Sequence, residues 1–390
     1  MRDDVFDLMP ARDVKPFYVM KVLERAQQLE SDGRDVIHME VGELDFPILD
    51  SVSRAATEAC QAGLTRYTPA AGLMMLRESI ADYYARNFGV VVSPKRVVVT
   101  SGASGALQLL LSALVKPGDE VLLTDPGYPC NGVMVSCLGG EPSYLAVSAS
   151  THYQPTAGQV VSAWNSQTQG VLLASPSNPA GSVLSEVAFR SIESAVMERR
   201  GWVLLDEIYQ GFTLDCPPET ALAWSDQVLV VNSFSKYFAM SGFRLGWLVA
   251  PESLVPVLER LAQNLVLAPN TLAQHAAFEA LRPANQYALE LRREELKVRR
   301  DVLVAGLLSL GFKIPCQPGG AFYVFAALPD CGLTGVAFAE KLLERAGVAV
   351  TPGVDFGAHD SQFQVRFAYV VSVERIHEML ARLADFLRSL

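Results

Sequence analysis

A lysine follows one of the most apolar stretches of the chain, and its position suggests carbonyl chemistry. Val228–Val231 is a short, β-branched run, and Asn232–Ser235 separates it from Lys236. The run is too short and too β-branched to favour a helix, so it predicts a buried strand of a parallel sheet. Ligands bind at the carboxyl ends of such strands, where a desolvated lysine acts as a nucleophile. The sequence therefore predicts Schiff-base chemistry at Lys236, with an ordinary surface lysine as the alternative.

Three further functional side chains lie close to this lysine in the sequence. Gly201–Asp206 is a second apolar segment that ends in a carboxylate, and Tyr209 follows three residues later. Downstream, Arg244 lies among glycines. A carboxylate, a phenol, an amine and a guanidinium at successive strand ends are the groups that pyridoxal phosphate needs. The carboxylate would keep the pyridine nitrogen protonated, the phenol would bond the ring oxygen, and the arginine would pair with the phosphate.

These segments resemble, in their order and spacing, the class I and II aminotransferases, which are fold-type I pyridoxal-phosphate enzymes. The matching segments run from about residue 41 to residue 366. Any one motif is weak, but six or more in family order make the resemblance specific. It implies an α/β fold with a mostly parallel, seven-stranded-type sheet, helices on both faces and a smaller α+β domain.

Alternating apolar and helical segments agree with that architecture. Strands are predicted over residues 36–41 and near residues 97, 121, 171, 203, 228 and 246, with helical patterns between them. The main helical patterns lie at about 17–30, 73–87, 107–114, 186–200 and 285–309. We expect an N-terminal arm and part of the small domain over residues 1–47, a large cofactor-binding domain over 48–282, and an interdomain helix with a small C-terminal domain over 283–390.

A turn of small residues is predicted to bind the cofactor phosphate. It follows the predicted strand Arg96–Thr100 and opens a helix, so it offers backbone N–H groups and the positive end of the helix dipole. The residues expected to contact the phosphate in this turn are Ser101, Gly102, Ala103 and Ser104. The resemblance assigns further contacts to Ser233, Ser235, Arg244 and, from the other subunit, Tyr67. It therefore implies a homodimer with shared active sites.

The resemblance also assigns residues that contact the cofactor ring. Tyr128 matches an aromatic residue that stacks on the pyridine face. Asn178, in an Asn-Pro turn after the predicted strand Gly170–Ala174, matches a donor to the ring oxygen beside Tyr209, and it also borders the substrate. Taken alone, an Asn-Pro turn after a strand is an ordinary loop feature.

Two positions match residues that hold the substrate. Arg366 matches the arginine that binds the α-carboxylate, since a guanidinium can fork both carboxylate oxygens. The family often has a serine two residues later, where this chain has Ala368. Gly42 matches a glycine whose backbone approaches the substrate carboxylate. The segments Gln317–Tyr323 and Thr351–Gly357 match small-domain loops that border the site.

The combined expectation is a pyridoxal-phosphate-dependent aminotransferase that moves an α-amino group to a 2-oxo acid by a ping-pong mechanism. Lys236, Asp206 and Tyr209 are its expected catalytic residues. The main alternative is a carbon–sulfur β-lyase on the same scaffold, which shares every cofactor residue. A decarboxylase or synthase is a lesser alternative, and so is a regulator fused to a DNA-binding domain, although we expect no such domain before residue 40.

The amino donor is expected to be neutral. Dicarboxylate-specific relatives use a second cation, and one version of the pattern places a lysine where this chain has Ser104. An unpaired distal carboxylate in an apolar pocket would lose hydration. We therefore expect alanine, methionine, leucine or phenylalanine as donor, with pyruvate or 2-oxoglutarate as acceptor. Arg12 or Lys15 remains as another source of a second cation.

Composition excludes several other classes of protein. The 390 residues are enough for two domains, and a net charge of −10 without a basic block argues against nucleic-acid binding. There is no signal-peptide pattern and no apolar run of the ~18 residues that span a bilayer, so we expect a cytoplasmic protein without membrane association. Six cysteines without a C-x-x-C pair indicate reduced thiols. Five histidines without ligand spacing predict no metal site.

Overall fold

The computed structural model describes residues 17–390. Arg12, Lys15 and the start of the predicted N-terminal arm lie outside the described residues. Three sheets organise the described part of the chain. The largest has seven strands in the order β2-β8-β7-β6-β5-β3-β4, and they span Val97–Thr100 (β2), Glu120–Asp125 (β3), Glu141–Ala146 (β4), Thr168–Ala174 (β5), Trp202–Asp206 (β6), Leu229–Ser233 (β7) and Gly246–Val249 (β8).

The direction of the strands brings several candidate site segments to the same edge of this sheet. β4, β3, β5, β6 and β7 run parallel, whereas β8 is antiparallel to both of its neighbours. Asp206 at the end of β6 pairs with Ala174 of β5 and with Val231 of β7. Because β8 runs the other way, its first residue, Gly246, pairs with Ser233 and with Thr100. The residues before β8 therefore lie at the same edge as the residues after β6 and β7.

Both faces of the large sheet are buried, which explains the continuous hydrophobicity of its strands. Neighbouring residues along a strand enter different cores: Leu229 and Val231 belong to one cluster, and Val230 between them belongs to the other. Full burial of such a side chain contributes roughly 1.5–3 kcal/mol. The helices that cover the sheet and its approaches are Asp50–Gln61 (α2), Met74–Phe88 (α3), Gly102–Leu114 (α4), Cys130–Cys137 (α5), Ala157–Ala163 (α6), Glu186–Met197 (α7), Val255–Leu265 (α8) and Thr271–Ala280 (α9).

A second set of elements brings segments from the first and last parts of the described chain into contact. The amino-terminal helix Tyr18–Ser31 (α1) leads to β1, whose residue Ile37 pairs in parallel with Val348. A three-stranded antiparallel sheet lies close by, in the order β11-β12-β9. The elements of this region are Ile37–His38 (β1), Tyr323–Ala327 (β9), Gly335–Ala346 (α11), Val348–Ala349 (β10), Thr351–Pro352 (β11), Gln364–Ala368 (β12) and Val373–Arg388 (α12).

The long helix Pro283–Ser309 (α10) lies between these two groups of elements in the chain. Two buried arginines anchor it: Arg299 donates to Asp45, and Arg300 donates to Asp215 at 2.6 and 2.8 Å. Asp45 and Asp215 stay partly solvated, so each pair joins a buried guanidinium to a carboxylate at the surface. The charged surface of this helix is therefore only partly solvated, because two of its arginines bind other segments.

Most predicted elements agree with the structure, and the differences have local causes. The strand expected over residues 36–41 is reduced to Ile37–His38, and α4 begins at Gly102 rather than at residue 107. The helices α2, α5, α6, α8 and α9 and the strand β4 were not predicted. β4 is an edge strand that contains Pro142 and buries one of its six residues, so it lacks the continuous apolar pattern of the central strands.

Candidate active site

Lys236 lies three residues beyond β7, at the edge where the strand ends meet. Its Nζ donates to the backbone oxygen of Gly42 at 2.5 Å and lies 5.9 Å from the centre of the Phe322 ring. Burial lowers the pKa of Lys236 to about 8, and the positive charges of Arg366 and Arg244 act in the same direction. The neutral, nucleophilic form of the amine is therefore accessible near neutral pH.

Asp206 ends β6 beside the strand that leads to Lys236. Its carboxyl group is buried and accepts a hydrogen bond from the Ile208 backbone N–H at 3.0 Å. Burial raises its pKa to about 6, and the Ile208 bond and the positive charge of Lys236 partly oppose that rise. At neutral pH Asp206 is mostly a buried carboxylate, which would gain from a nearby protonated ring nitrogen.

The amino end of α4 lies beside Arg244, Ser233 and Ser235, and these residues together form a candidate anion site, called the α4 pocket. The first backbone N–H groups of α4 do not donate to the side chain of Ser101, the residue before the helix. A Cβ on Gly102, whose φ is +75°, would lie 2.8 Å from the Arg244 guanidinium. Only glycine therefore permits this close approach of a cation to the helix end. Ala103 is buried and Ser104 is exposed at the start of α4.

Two serines complete the α4 pocket. Arg244 Nη1 lies 3.5 Å from Ser235 Oγ, and the Ser233 and Ser235 hydroxyls are 2.9 Å apart. Both serines are buried. A helix end, a guanidinium and hydroxyl groups are a donor set that suits a phosphate.

Arg366 lies in β12 and reaches across to the end of β5. Its Nη1 donates to Asn178 Oδ1 at 2.9 Å, and its Nη2 donates to the backbone oxygen of Glu40. The guanidinium is stacked between Tyr323 and Phe356, with its central carbon 4.2 and 4.6 Å from the two ring centres. Its Nε is buried and has no hydrogen-bond partner among the described residues. An oriented, desolvated guanidinium with a free donor suits a carboxylate ligand.

Tyr209 and Tyr323 form a buried pair of phenols. Their hydroxyl oxygens lie 2.9 Å apart, and burial raises the pKa of both. A Cβ on Gly42 would lie 1.9 Å from the Tyr323 hydroxyl oxygen. Gly42 is therefore required because the phenol occupies the space that any side chain would need.

Tyr128 lies beside a cavity of about 1210 Å³ that Asn178 also lines. Its ring packs edge-on against Phe17 at 6.3 Å, and burial raises the pKa of its hydroxyl. Among the described residues that line the cavity are two carboxylates, Asp125 and Asp355, and no lysine, arginine or histidine. Lys236, Asp206 and Arg366 do not line it.

The structure brings most of the predicted site residues to one edge of the sheet. The exception is Tyr67, which is 82% exposed, away from these contacts. Sequence reasoning missed Tyr323, Phe356 and Glu40 as individual contributors. It also missed Thr351, whose hydroxyl lies 3.4 Å from Arg366 Nη2. Two predicted border loops contain Tyr323, Thr351 and Phe356. Within residues 17–390 no group of three or more His, Cys, Asp or Glu side chains is placed to hold a metal ion. In the same range, no helix is both long and apolar enough to cross a membrane.

Comparison with known proteins gives the family of the chain. A family model described as aminotransferase class I and II matches residues 34–383. The chain is 35% identical to the valine–pyruvate aminotransferase of Mycobacterium tuberculosis, across 96% of this chain and 97% of that protein. It is 33% identical to the aspartate/prephenate aminotransferase of Thermus thermophilus, across 96% and 97%. A crystal structure of an aminotransferase from Mycobacterium tuberculosis is similar with a TM-score of 0.94 and 34% identity, across 98% of this chain and 99% of that one.

The chain belongs to the class I and II aminotransferase family. It is a pyridoxal-phosphate-dependent aminotransferase, so the predicted family, fold class and enzyme class are confirmed. None of these matches supports the carbon–sulfur β-lyase alternative.

Proposed function

We propose that Lys236 binds pyridoxal phosphate and that the protein transfers the amino group of a neutral amino acid to a 2-oxo acid such as pyruvate or 2-oxoglutarate. The observation that supports this most strongly is the amine of Lys236. Its pKa is lowered to about 8, and it lies at the sheet edge that also carries Asp206, the α4 pocket and Arg366. Each group has the chemistry that one part of the cofactor or substrate requires.

The residues present fit the cofactor. The amino end of α4 at Gly102 and the nearby Arg244 would donate hydrogen bonds to the phosphate, with contributions from Ser101, Ala103, Ser104, Ser233 and Ser235. Asp206 would hold the ring nitrogen, Tyr209 and Asn178 the ring oxygen, and Tyr128 one face of the ring. When bound, the cofactor supplies an electron sink that makes the substrate α-proton removable.

The chain's own groups would hold the substrate and move the proton. Arg366 would bind the α-carboxylate next to Asn178 and Gly42. Once the substrate has displaced it, the Lys236 amine would act as the base that accepts the proton from the substrate α-carbon. The same amine would later donate that proton to complete the transfer. A base with a pKa near the working pH is the most effective for such a step.

The neutral donor is supported by the charges of the cavity that borders the site at Tyr128 and Asn178. The cavity beside Tyr128 carries Asp125 and Asp355 and no basic residue among those described, and Ser104 has no positive charge. An acidic side chain placed there would meet like charge and lose hydration. The two relatives named above differ in substrate, since one is a valine–pyruvate and the other an aspartate/prephenate enzyme.

A homodimer with shared sites is part of the proposal. Tyr67 is almost fully exposed, and other large apolar side chains of the neighbouring segments are exposed with it: Leu64, Met74, Leu265 and Leu267. Burying such a patch against a second copy would remove apolar area from water and bring Tyr67 to the partner's α4 pocket. We also propose the domain limits 1–47, 48–282 and 283–390, and a cytoplasmic location.

The test is reduction of the cofactor-loaded protein with borohydride. Wild-type protein should carry the reduced cofactor covalently on the peptide that contains Lys236, as read by mass spectrometry. Lys236→Ala should lose this adduct and lose turnover. Lys95→Ala, a change of an exposed lysine, should keep both. An adduct on another lysine together with near-normal rates in Lys236→Ala would refute the assignment.

A further inference from the structure

Tyr323, which was not predicted as a site residue, contacts several parts of the proposed site. It is 2% exposed, its hydroxyl lies 2.9 Å from that of Tyr209, and its ring lies under the Arg366 guanidinium. The same hydroxyl fills the space above Gly42, whose backbone oxygen accepts from Lys236. One side chain therefore connects the ring-oxygen side of the site with the carboxylate side.

The chemistry of the two phenols decides which of them donates. A tyrosine hydroxyl has one proton and can accept through its lone pairs. Under the proposed function, on which this inference rests, the hydroxyl of Tyr209 donates its hydrogen bond to the cofactor ring oxygen. Tyr209 is then left as the acceptor in its bond with Tyr323, so Tyr323 must donate.

The charge of Arg366 favours the same direction. It lies 4.2 Å from the Tyr323 ring centre and acts against the rise that burial causes in the pKa of Tyr323. Burial raises the pKa of Tyr209 too, and the charge of Arg366 also opposes that rise. Because the guanidinium lies directly against the ring of Tyr323, it favours Tyr323 as the donor of the pair.

We infer that Tyr323 is a positioning residue for the reaction: its hydroxyl donates to Tyr209 and directs the Tyr209 proton to the cofactor ring oxygen, and its ring holds Arg366 in line with the substrate carboxylate. Accepting a hydrogen bond polarises Tyr209 and strengthens its own donation. The hydroxyl and the ring of Tyr323 thus have separable roles.

The hydroxyl role is tested by the pH titration of the visible absorption band of the cofactor-loaded protein. Tyr323→Phe should raise the pKa of that band by roughly 0.4–1 pH unit, the equivalent of one ordinary hydrogen bond. The rise is expected because weaker donation to the ring oxygen stabilises its negative charge less. Tyr209→Phe should shift the band further in the same direction. The double variant should match Tyr209→Phe alone, because the two hydroxyls act in series.

A second replacement keeps both the ring and the hydroxyl. A fluorinated tyrosine introduced at position 323 has a more acidic hydroxyl and should lower the pKa of the band, opposite to Tyr323→Phe. This variant retains the shape of the native side chain, so it tests the inference even if Tyr323→Phe fails to fold. Tyr84→Phe is the matched control, since Tyr84 is a fully buried phenol bonded to Trp247 at 3.1 Å in the core. It should leave the band pKa unchanged.

The ring role is tested by the Michaelis constant of the amino donor. Tyr323→Phe keeps an aromatic face under Arg366 and should change KM little. Tyr323→Leu removes that face and should raise KM by roughly two- to thirtyfold, the range of a cation–π contact. A general structural defect would raise KM in both variants. The inference predicts a large rise in KM only for Tyr323→Leu, with a raised band pKa in both variants, because both lack the hydroxyl.

Two results would overturn the inference while leaving the proposed function intact. One is an unchanged band pKa in Tyr323→Phe and in the fluorinated protein, alongside a normal wild-type band that depends on Lys236. The other is a double variant whose shift equals the sum of the two single shifts. A wild-type protein with no Lys236-dependent band would overturn the proposed function itself, and this inference with it.

Discussion

Arg366 Nη1 donates to Asn178 Oδ1 at 2.9 Å, although the two residues are 188 positions apart in the chain. The bond joins β12 of the small sheet to the turn that follows β5 of the large one. A carboxylate held by Arg366 would therefore lie next to a residue proposed to contact the cofactor ring. The geometry that places the substrate is set by contacts between two separate sheets.

Arg366→Lys should weaken the binding of amino donors. Lysine keeps the charge but cannot fork a carboxylate or lie flat between Tyr323 and Phe356. We expect kcat/KM to fall by roughly ten- to a hundredfold, as for a lost charge-assisted hydrogen bond, with the loss mainly in KM. Steady-state kinetics measure this. Arg388→Lys, a change at an exposed position, is the control, and a KM within about threefold of wild type would contradict the role of Arg366.

Asp206→Asn should slow the reaction while retaining some cofactor. The amide cannot stabilise a protonated ring nitrogen, so the electron sink is weakened. We expect a loss of about 10²-fold or more in kcat, which corresponds to several kcal/mol of transition-state stabilisation. Absorbance of the bound cofactor and single-turnover rates separate binding from chemistry. The exposed Asp226→Asn change serves as the control, and an Asp206→Asn rate within about threefold of wild type would exclude the role.

The reactivity of Lys236 should follow its lowered pKa. An amine with a pKa of about 8 is neutral in about one molecule in ten at pH 7, whereas an ordinary lysine is neutral in roughly one in three thousand. The rate at which cofactor-free protein binds pyridoxal phosphate covalently should rise with pH, with a midpoint near 8. Above about pH 7 Asp206, with its pKa of about 6, is already ionised and adds no second step.

A charge change near Lys236 checks the cause of that midpoint. The carboxylate of Glu43 raises the pKa of Lys236 against the effect of burial. Glu43→Gln should therefore move the midpoint to lower pH. A rate that keeps rising towards pH 10 in the wild-type protein would show that Lys236 is an ordinary, solvated amine.

The strand that delivers Lys236 could be predicted because its signal is local. A fully buried parallel strand has a continuous apolar sequence, and Val228–Val231 shows it directly. β4 escaped prediction for the opposite reason, since an edge strand with Pro142 has little to bury. The place of Arg244 at the same sheet edge depends on the antiparallel direction of β8, which strand propensity does not encode.

The contacts that orient the site could not be predicted in the same way. Tyr323 meets Tyr209 across 114 residues, and Glu40 meets Arg366 across 326. Nothing in the local sequence around Tyr323 shows whether its side chain only borders the site or contacts the site residues directly. Gly42 illustrates the same point, because its lack of a side chain is explained only by the position of the Tyr323 hydroxyl.

Tyr67→Phe should reduce cofactor retention without dissociating the protein. In the proposed dimer, the Tyr67 hydroxyl donates to the phosphate in the partner's α4 pocket, and a hydrogen bond to a charged group is worth about 1.5–3 kcal/mol. We expect cofactor affinity to fall by roughly ten- to a hundredfold at unchanged dimer mass. Equilibrium dialysis and analytical ultracentrifugation measure the two. Tyr287→Phe, at another exposed tyrosine, should change neither, and a fully active monomer at nanomolar concentration would rule out shared sites.

The preferred donor should be a neutral amino acid. With pyruvate or 2-oxoglutarate as the common acceptor, kcat/KM for alanine, methionine, leucine or phenylalanine should exceed that for aspartate, because a distal carboxylate would meet the carboxylates of Asp125 and Asp355 instead of a cation. Ser104→Lys adds a cation at an exposed position at the start of α4 and should raise the aspartate rate relative to alanine. Ser104→Gln, which adds length without charge, should not. A tenfold or greater preference of the wild-type protein for aspartate would show that a second cation reaches the site, with Arg12 and Lys15 as the first residues to replace.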